Sequence, residues 1–343
     1  MNQPDLREFI DGPGPYLTIA VPTPSHHGDA EHRLAIRWKN AISDIDDGAD
    51  GWPPEEIATL EALGEQLPHG AGASVVVLHQ RGGPTLIEFI DEPVRETTVD
   101  AGPLPRLAPL IEARQRAIPH VVVETDRAGA DLTAFDGGSV LATDVVEGER
   151  LHIHRGHPGG WSQRRFQQRA ENTWEDNARL VANATAALAR RVDAEVILVV
   201  GEVRARSLLV DELDGAHDVP DVVGLESGSP DAVADDVVRT LADRVARRIT
   251  ELVDRVRSAL PEDRATTDTE ATLSALVEGR VDTLLVHDDV DDPVVTERDI
   301  AGVPAGARTV DVAIAVALRT DADVVVVPNL SIMDGPLAAL LRW

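Results

Sequence analysis

The apolar residues of this chain come in short runs. Tyr16–Val21, Ser74–Leu78, Leu86–Ile90, Val121–Glu124, Glu195–Val200, Val281–His287 and Asp323–Val327 are each strand-sized, and between them apolar residues recur at helical spacing. That alternation predicts an α/β chain built of α/β or α+β layers. Aromatic residues make up only 3% of the sequence against 43% hydrophobic overall, so the cores must be aliphatic. No run is long enough to cross a bilayer, and no basic-headed apolar stretch opens the chain. Neither a membrane span nor a signal peptide is expected, which points to the cytoplasm.

The 343 residues favour more than one domain. Leu34, Trp38, Ile42 and Ile45 predict a helix over 30–45, and a second follows Pro53-Pro54 with Ile57, Leu60, Leu63 and Leu67 on one face. Arg81-Gly82-Gly83-Pro84 turns a hairpin, and the proline-punctuated stretch 102–109 leads into a short helix before Pro119. The next section holds strands near 121–124, 130–135 and 140–146, a long helix from about Arg164 to Arg190, the strand at 195–200, and a helix-plus-strand region to about Leu225. A helix over 231–260 is long enough to bridge domains. Helices 269–278 and 310–319, strands 281–287 and 323–327, and the terminal 336–343 complete the chain. The division predicted is 1–118, 119–235 and 236–343.

Of the 32 basic side chains only Lys39 is a lysine, and it follows Trp38, not glycine. A P-loop and the kinase lysine in its Val-Ala-Ile-Lys context are therefore missing, and a Schiff-base lysine is not expected. Cysteine is absent, which removes disulfides, iron–sulfur clusters, cysteine zinc sites and thiol nucleophiles. Sixty acidic residues set the net charge at −28, so the surface as a whole repels anionic polymers. DNA is not an expected partner, and RNA is reachable only through a local basic island.

Leu151–Arg191 is such an island. It holds seven arginines, at 155, 164, 165, 169, 179, 190 and 191, against Glu171, Glu175 and Asp176. Phe166, Ala170, Trp174, Ala178 and Val181 form an apolar stripe that seats the helix. Arg165, Gln168, Asn172 and Arg179 are expected on other faces, free to meet a partner. The preceding loop, 156–163, has three glycines and Trp161, and glycine lets a backbone approach a ligand closely. On residue types alone, the segment reads either as a surface loop capping a solvated arginine-rich helix or as an RNA contact.

The order of segments resembles the archaeo-eukaryotic class-1 release factor and Pelota superfamily, in particular its bacterial branch, which includes the Balon-type ribosome-hibernation factors. Val122-Val123-Glu124-Thr125-Asp126-Arg127-Ala128-Gly129-Ala130 is similar to the opening of that family's middle domain. His154 to Trp174 stands where the family carries its glycine-glycine-glutamine loop and following helix. Glu278-Gly279-Arg280-Val281-Asp282-Thr283-Leu284-Leu285-Val286 resembles the central signature of the C-terminal domain, and Leu337–Trp343 its closing strand. The resemblance implies a factor that occupies the ribosomal A site and places its loop near the CCA end of a tRNA, for hibernation, stress response or rescue. It implies rRNA and tRNA as partners, with elongation factor Tu as companion.

His157, Gly159, Gly160, Trp161, Arg164, Arg165 and Arg169 are the implied RNA-binding residues. Gln163 is the implied catalytic candidate, acting by positioning and hydrogen bonding because an amide is no base at neutral pH. Here Gly159-Gly160 is followed by Trp161-Ser162 before Gln163, similar to the glycine-two-residues-glutamine loop of the eukaryotic relative that cleaves peptidyl-tRNA in quality control. Without the family's cysteine motif, and with Lys39 alone, stop-codon decoding is not implied.

His152, His154 and His157, with His26-His27, have the residue types of a metal site but read as histidines on a mildly basic strand and loop. Asp288-Asp289-Val290-Asp291-Asp292 lacks calcium-loop spacing and reads as a solvated turn. No metal and no cofactor are expected. Three functions stay open: a non-catalytic ribosome-binding factor, a hydrolase or nuclease acting on peptidyl-tRNA or tRNA through Gln163, and an acidic interaction protein with no RNA role.

Overall fold

A computed structural model of the protein describes residues 4–23, 30–48, 51–68, 72–91, 94, 96–148, 160–226, 228–289, 294–328 and 331–343. For 4, 30, 31, 44, 46–48 and 160–170 it describes the backbone alone. Contacts divide the chain into two units, Met1–Gln115 with Ala246–Trp343, and Arg116–Val245.

The first unit opens with α1 (Pro4–Ile10), β1 (Tyr16–Pro22), α2 (Ala30–Gly48), α3 (Pro54–Gly64), β2 (Ser74–Gln80), β3 (Thr85–Ile90), β4 (Thr98–Gly102) and α4 (Ala108–Arg116). The strands form an antiparallel sheet in the order β3-β2-β1-β4. Because side chains alternate along a strand, β1 sends Leu17, Ile19 and Val21 to one face and Tyr16 and Ala20 into a different apolar cluster. The first face meets Leu34, Trp38, Ile42 and Ile45 of α2 and Leu60 of α3. Trp38 Nε1 donates to the Leu60 carbonyl at 2.7 Å, so even the one polar atom of this bulky core residue is satisfied.

The second unit contains β5 (His120–Thr125), β6 (Gly129–Asp136), β7 (Ser139–Glu147), α5 (Gly160–Arg191), β8 (Val196–Gly201), α6 (Val203–Asp214) and β9 (Asp221–Gly224). Its sheet runs β7-β6-β5-β8-β9, antiparallel on the β7 side and parallel from β5 to β9. Val121, Val123, Leu132, Ile197 and Val199 pack against Val181, Leu188 and Ala189 of α5 and Leu209 and Leu213 of α6. The division between the units falls inside α7 (Pro230–Ala259).

The first unit resumes with β10 (Ala265–Thr266), α8 (Thr269–Val277), β11 (Val281–Val286), α9 (Thr309–Arg319), β12 (Asp323–Val326) and β13 (Leu337–Leu341), in the sheet order β10-β13-β11-β12. α9 crosses between the parallel pair β11 and β12 and is buried from Thr309 through Leu318, as its nearly unbroken apolar sequence requires. One apolar cluster joins this segment to the N-terminal one: Leu6, Phe9, Leu107, Leu110 and Ile111 pack with Leu284, Val312, Ile314 and Val324. Among the described residues no helix is long and apolar enough to cross a membrane.

A buried ionic chain reinforces the same junction. Arg106 reaches Asp100 at 3.1 Å and Asp288 at 3.2 Å, and Arg308 binds the other oxygen of Asp288. Asp288 is therefore not part of a solvated turn; its side chain is 7% exposed and spent on two guanidiniums, while residues 290–292 of that run lie outside the described residues. Asp311, 3.8 Å from Arg308, is buried and its Oδ1 has no hydrogen-bond partner. Burial pushes its carboxyl up to about 7 from 3.8.

The folded chain thus holds the Asp311 proton more tightly than the unfolded one, and ionising it as pH rises from about 4 to about 7 costs stability. Asp311→Asn should match the unaltered chain near pH 4 and exceed it at about pH 8 by a few kcal/mol, at about 1.4 kcal/mol per unit of pKa. Urea unfolding midpoints at the two pH values check this; equal midpoints at about pH 8 contradict it.

Candidate nucleic-acid interface

The motif 122–130 occupies β5 and the turn into β6. Asp126 Oδ1 accepts the N–H groups of Ala128 at 2.6 Å and Gly129 at 2.9 Å, the short side chain closing the turn on itself. A Cβ on Gly129 would lie 1.9 Å from the Val146 carbonyl oxygen, so only glycine lets the turn lie against β7. At the end of β8, Gly201 has φ +140, and a Cβ there would stand 1.8 Å from the Thr125 carbonyl oxygen. Gly129 thus lets β6 lie close to β7, and Gly201 brings the ends of β5 and β8 together.

Above that end stand Arg127, from the turn, and Arg204, from the first turn of α6. Their guanidiniums lie over the ring of Trp174 on α5, 4.6 and 5.0 Å from its centroid. Each also has a carboxylate: Arg127 pairs with Glu202, and Arg204 with Glu171 at 3.0 Å. The Arg127 hydrogen bonds hold the Glu202 carboxyl below its ordinary range. Asn177, buried one turn further along α5, donates to the Arg127 carbonyl at 2.9 Å. A shallow cleft with room for little more than a water molecule opens beside the group, lined by Thr125, Asp126, Trp174, Ala178, Val181 and Leu208 among others.

α5 begins at Gly160, four residues before the spacing predicts, and its 32 residues extend about 48 Å at 1.5 Å per residue. Ala178, Val181, Ala182, Thr185, Ala186, Leu188 and Ala189 are buried, whereas Glu171, Asn172, Glu175 and Asp176 are exposed. Among the described side chains, those from 171 onward, the buried ones begin at Asn177. Gly160, Trp161, Gln163, Arg164, Arg165 and Arg169 occupy its first turns, so the C-terminal part of the expected 156–163 loop is helical. His157 and Gly159 lie outside the described residues, as do Arg155, His152, His154 and His26-His27.

The basic island is not one patch. Arg164 and Arg190 are 26 positions apart, about 39 Å along the axis, so Arg164, Arg165 and Arg169 stand well away from Arg190 and Arg191, with Arg179 between them. Arg190 and Arg191, exposed, sit in the last turn, where cations complement the helix dipole. Arg179, expected to be free, is not: it pairs with Asp176 at 3.2 Å and Glu212 at 3.5 Å. The first turns of the helix carry Arg164, Arg165 and Arg169, with no acid between Gly160 and Glu171. Sequence reasoning placed Trp174 on the seating stripe but missed its two arginines. Arg127 was visible inside the turn motif, whereas nothing in the sequence around Arg204 marks it.

Residues 119–261, less than half of the chain, match the family described as bacterial archaeo-eukaryotic release factor family 2. Over those residues the chain is similar to that bacterial release factor-like family, the stretch in which the motif resemblance placed the middle domain. It is 26% identical over 215 residues to the uncharacterized protein Rv2629 of Mycobacterium tuberculosis strain H37Rv and to MT2704 of strain CDC 1551, a match covering 62% of this chain and 57% of each relative. The match thus spans little more than half the length of these curated relatives. Similar solved structures include Dom34 of S. cerevisiae (11% identity, 74% of each chain, TM-score 0.43) and an archaeal Pelota from a ribosome-bound model with ABCE1 (16%, 99% of this chain and 94% of that one, TM-score 0.41). The archaeal termination factor aRF1 is also similar (14%, 99% and 96%, TM-score 0.26).

Gly201→Ala should destabilise the second unit by about 2 kcal/mol or more, since it adds both a strained φ and a backbone clash. A thermal melt lowered by several degrees is expected; an unchanged melt contradicts the close approach of β5 and β8.

Proposed function

We propose that this chain is a ribosome-associated factor that occupies the A site and presents residues 156–163 near the CCA end of a tRNA, in hibernation, stress response or rescue. In this reading 119–235 is the domain that enters the RNA, 1–118 and 236–343 are the N- and C-terminal domains that flank it in sequence, elongation factor Tu is the companion in delivery, and the setting is the cytoplasm. The observation that carries it is the helix α5: inside a stretch that matches a release factor-like family, a 32-residue helix carries Arg164, Arg165 and Arg169 in its first turns and buries Ala178 to Ala189 against the sheet further along. Solved relatives support it, Dom34 being described as a termination-like factor in RNA quality control that interacts with Hbs1, and Pelota as ribosome-bound with ABCE1.

Electrostatics gives the reading its direction. A chain of net charge −28 is repelled by RNA, and the repulsion is least where positive side chains stand apart from the acids. The start of α5 is such a place.

The test is co-sedimentation with ribosomes across a salt series. Replacing Arg164, Arg165 and Arg169 together by Gln should weaken binding and flatten the slope of log affinity against log salt by up to about 2 to 3, near 0.7–0.9 per lost phosphate contact. Unchanged affinity and slope contradict the proposal, and no binding at any salt favours the acidic interaction protein. Peptidyl-tRNA turnover that Gln163→Ala abolishes would make the factor a hydrolase; the proposal expects none.

A further inference from the structure

We propose that Trp174, gripped by Arg127 and Arg204, is a positioning residue that sets the direction of the N-terminal half of α5. The inference rests on the reading above, in which the start of that helix meets RNA.

Among the described side chains of α5 the buried ones start at Asn177, and from 171 to 176 only Thr173 and Trp174 are even half-buried. At this exit point Trp174 and Glu171 reach across to two other elements. Arg127 comes from the β5–β6 turn, which the Asp126 carboxylate and Gly129 hold in shape. Arg204 comes from α6 and serves α5 twice, with its guanidinium over the Trp174 ring and Nη2 3.0 Å from Glu171. Indole presents the most favourable ring face to a cation, and a planar guanidinium can lie over it while its N–H edges keep their carboxylates.

The charges in the cluster nearly cancel, Arg127 and Arg204 against Glu202, Glu171 and the neighbouring Asp126. It is therefore poorly suited to bind a phosphate itself, and well suited to hold a helix. Leverage makes the hold matter: Gly160 is 14 residues ahead of Trp174, about 21 Å, so a tilt of about 10° at the clamp moves the helix start by about 4 Å. Displacements of that size defeat a site that must be presented to a fixed partner.

The cysteine-free chain allows a direct test. Spin labels on Ser162→Cys and Ser207→Cys, both within the second unit, report the distance from the start of α5 to α6. Trp174→Leu, and the pair Arg127→Met with Arg204→Met, should broaden that distance distribution about twofold and weaken ribosome binding about tenfold. Trp174→Phe, and the pair Arg127→Lys with Arg204→Lys, should keep both close to the unaltered values, which loss of packing volume alone would not produce. A distribution unchanged in the Leu and Met variants overturns the clamp. Absence of ribosome binding by the unaltered chain overturns the proposed function instead, because the label distance reads the clamp without a ribosome.

Discussion

The second unit depends on how closely α5 can lie on its sheet. Ala178, Ala182, Ala186 and Ala189 are small, and with Val181 and Leu188 they let the helix settle on the β-branched faces of β5 and β8. The same contact brings Trp174 beside the two arginines and Asn177 within reach of the turn. A larger residue at any of these alanines would lift the helix and undo the clamp with it. Packing on one half of the helix thus controls what the other half can present.

Charge is handled differently in the two units. In the first, Arg106, Arg308, Asp288 and Asp311 are withdrawn from water at the junction of the N- and C-terminal segments, where an unpaired partner is costly. In the second, Arg127, Arg179 and Arg204 are exposed and paired with neighbouring carboxylates, and such surface pairs contribute little stability. Their arrangement matters for direction more than for energy.

Much of the fold was legible because its apolar pattern is clean. Strands at 16–22, 74–80, 196–201 and 281–286 follow from unbroken aliphatic runs, and α2, α5, α7 and α9 from helical spacing. The misses have physical causes. α1 is seven residues, too short to show a period, and β4 is a polar edge strand whose sequence, Thr-Val-Asp-Ala-Gly, carries no strand signature. α5 was started late because Gly160 and Trp161 read as loop, whereas the helix extends over them.

The candidate site was legible only where it is local. Spacing identified the arginines on α5 and the motif identified the turn, but pairings such as Arg127 with Trp174 or Arg106 with Asp288 join residues far apart in sequence and leave no periodic trace. For the same reason the island looked continuous along the chain, while helical rise separates its ends. A cryo-EM map of the protein bound to ribosomes tests the central claim most directly. The account predicts the first turns of α5 against the tRNA CCA end, with Arg164, Arg165 and Arg169 on RNA. A bound protein whose α5 begins in open solvent, with another surface on the ribosome, would contradict it.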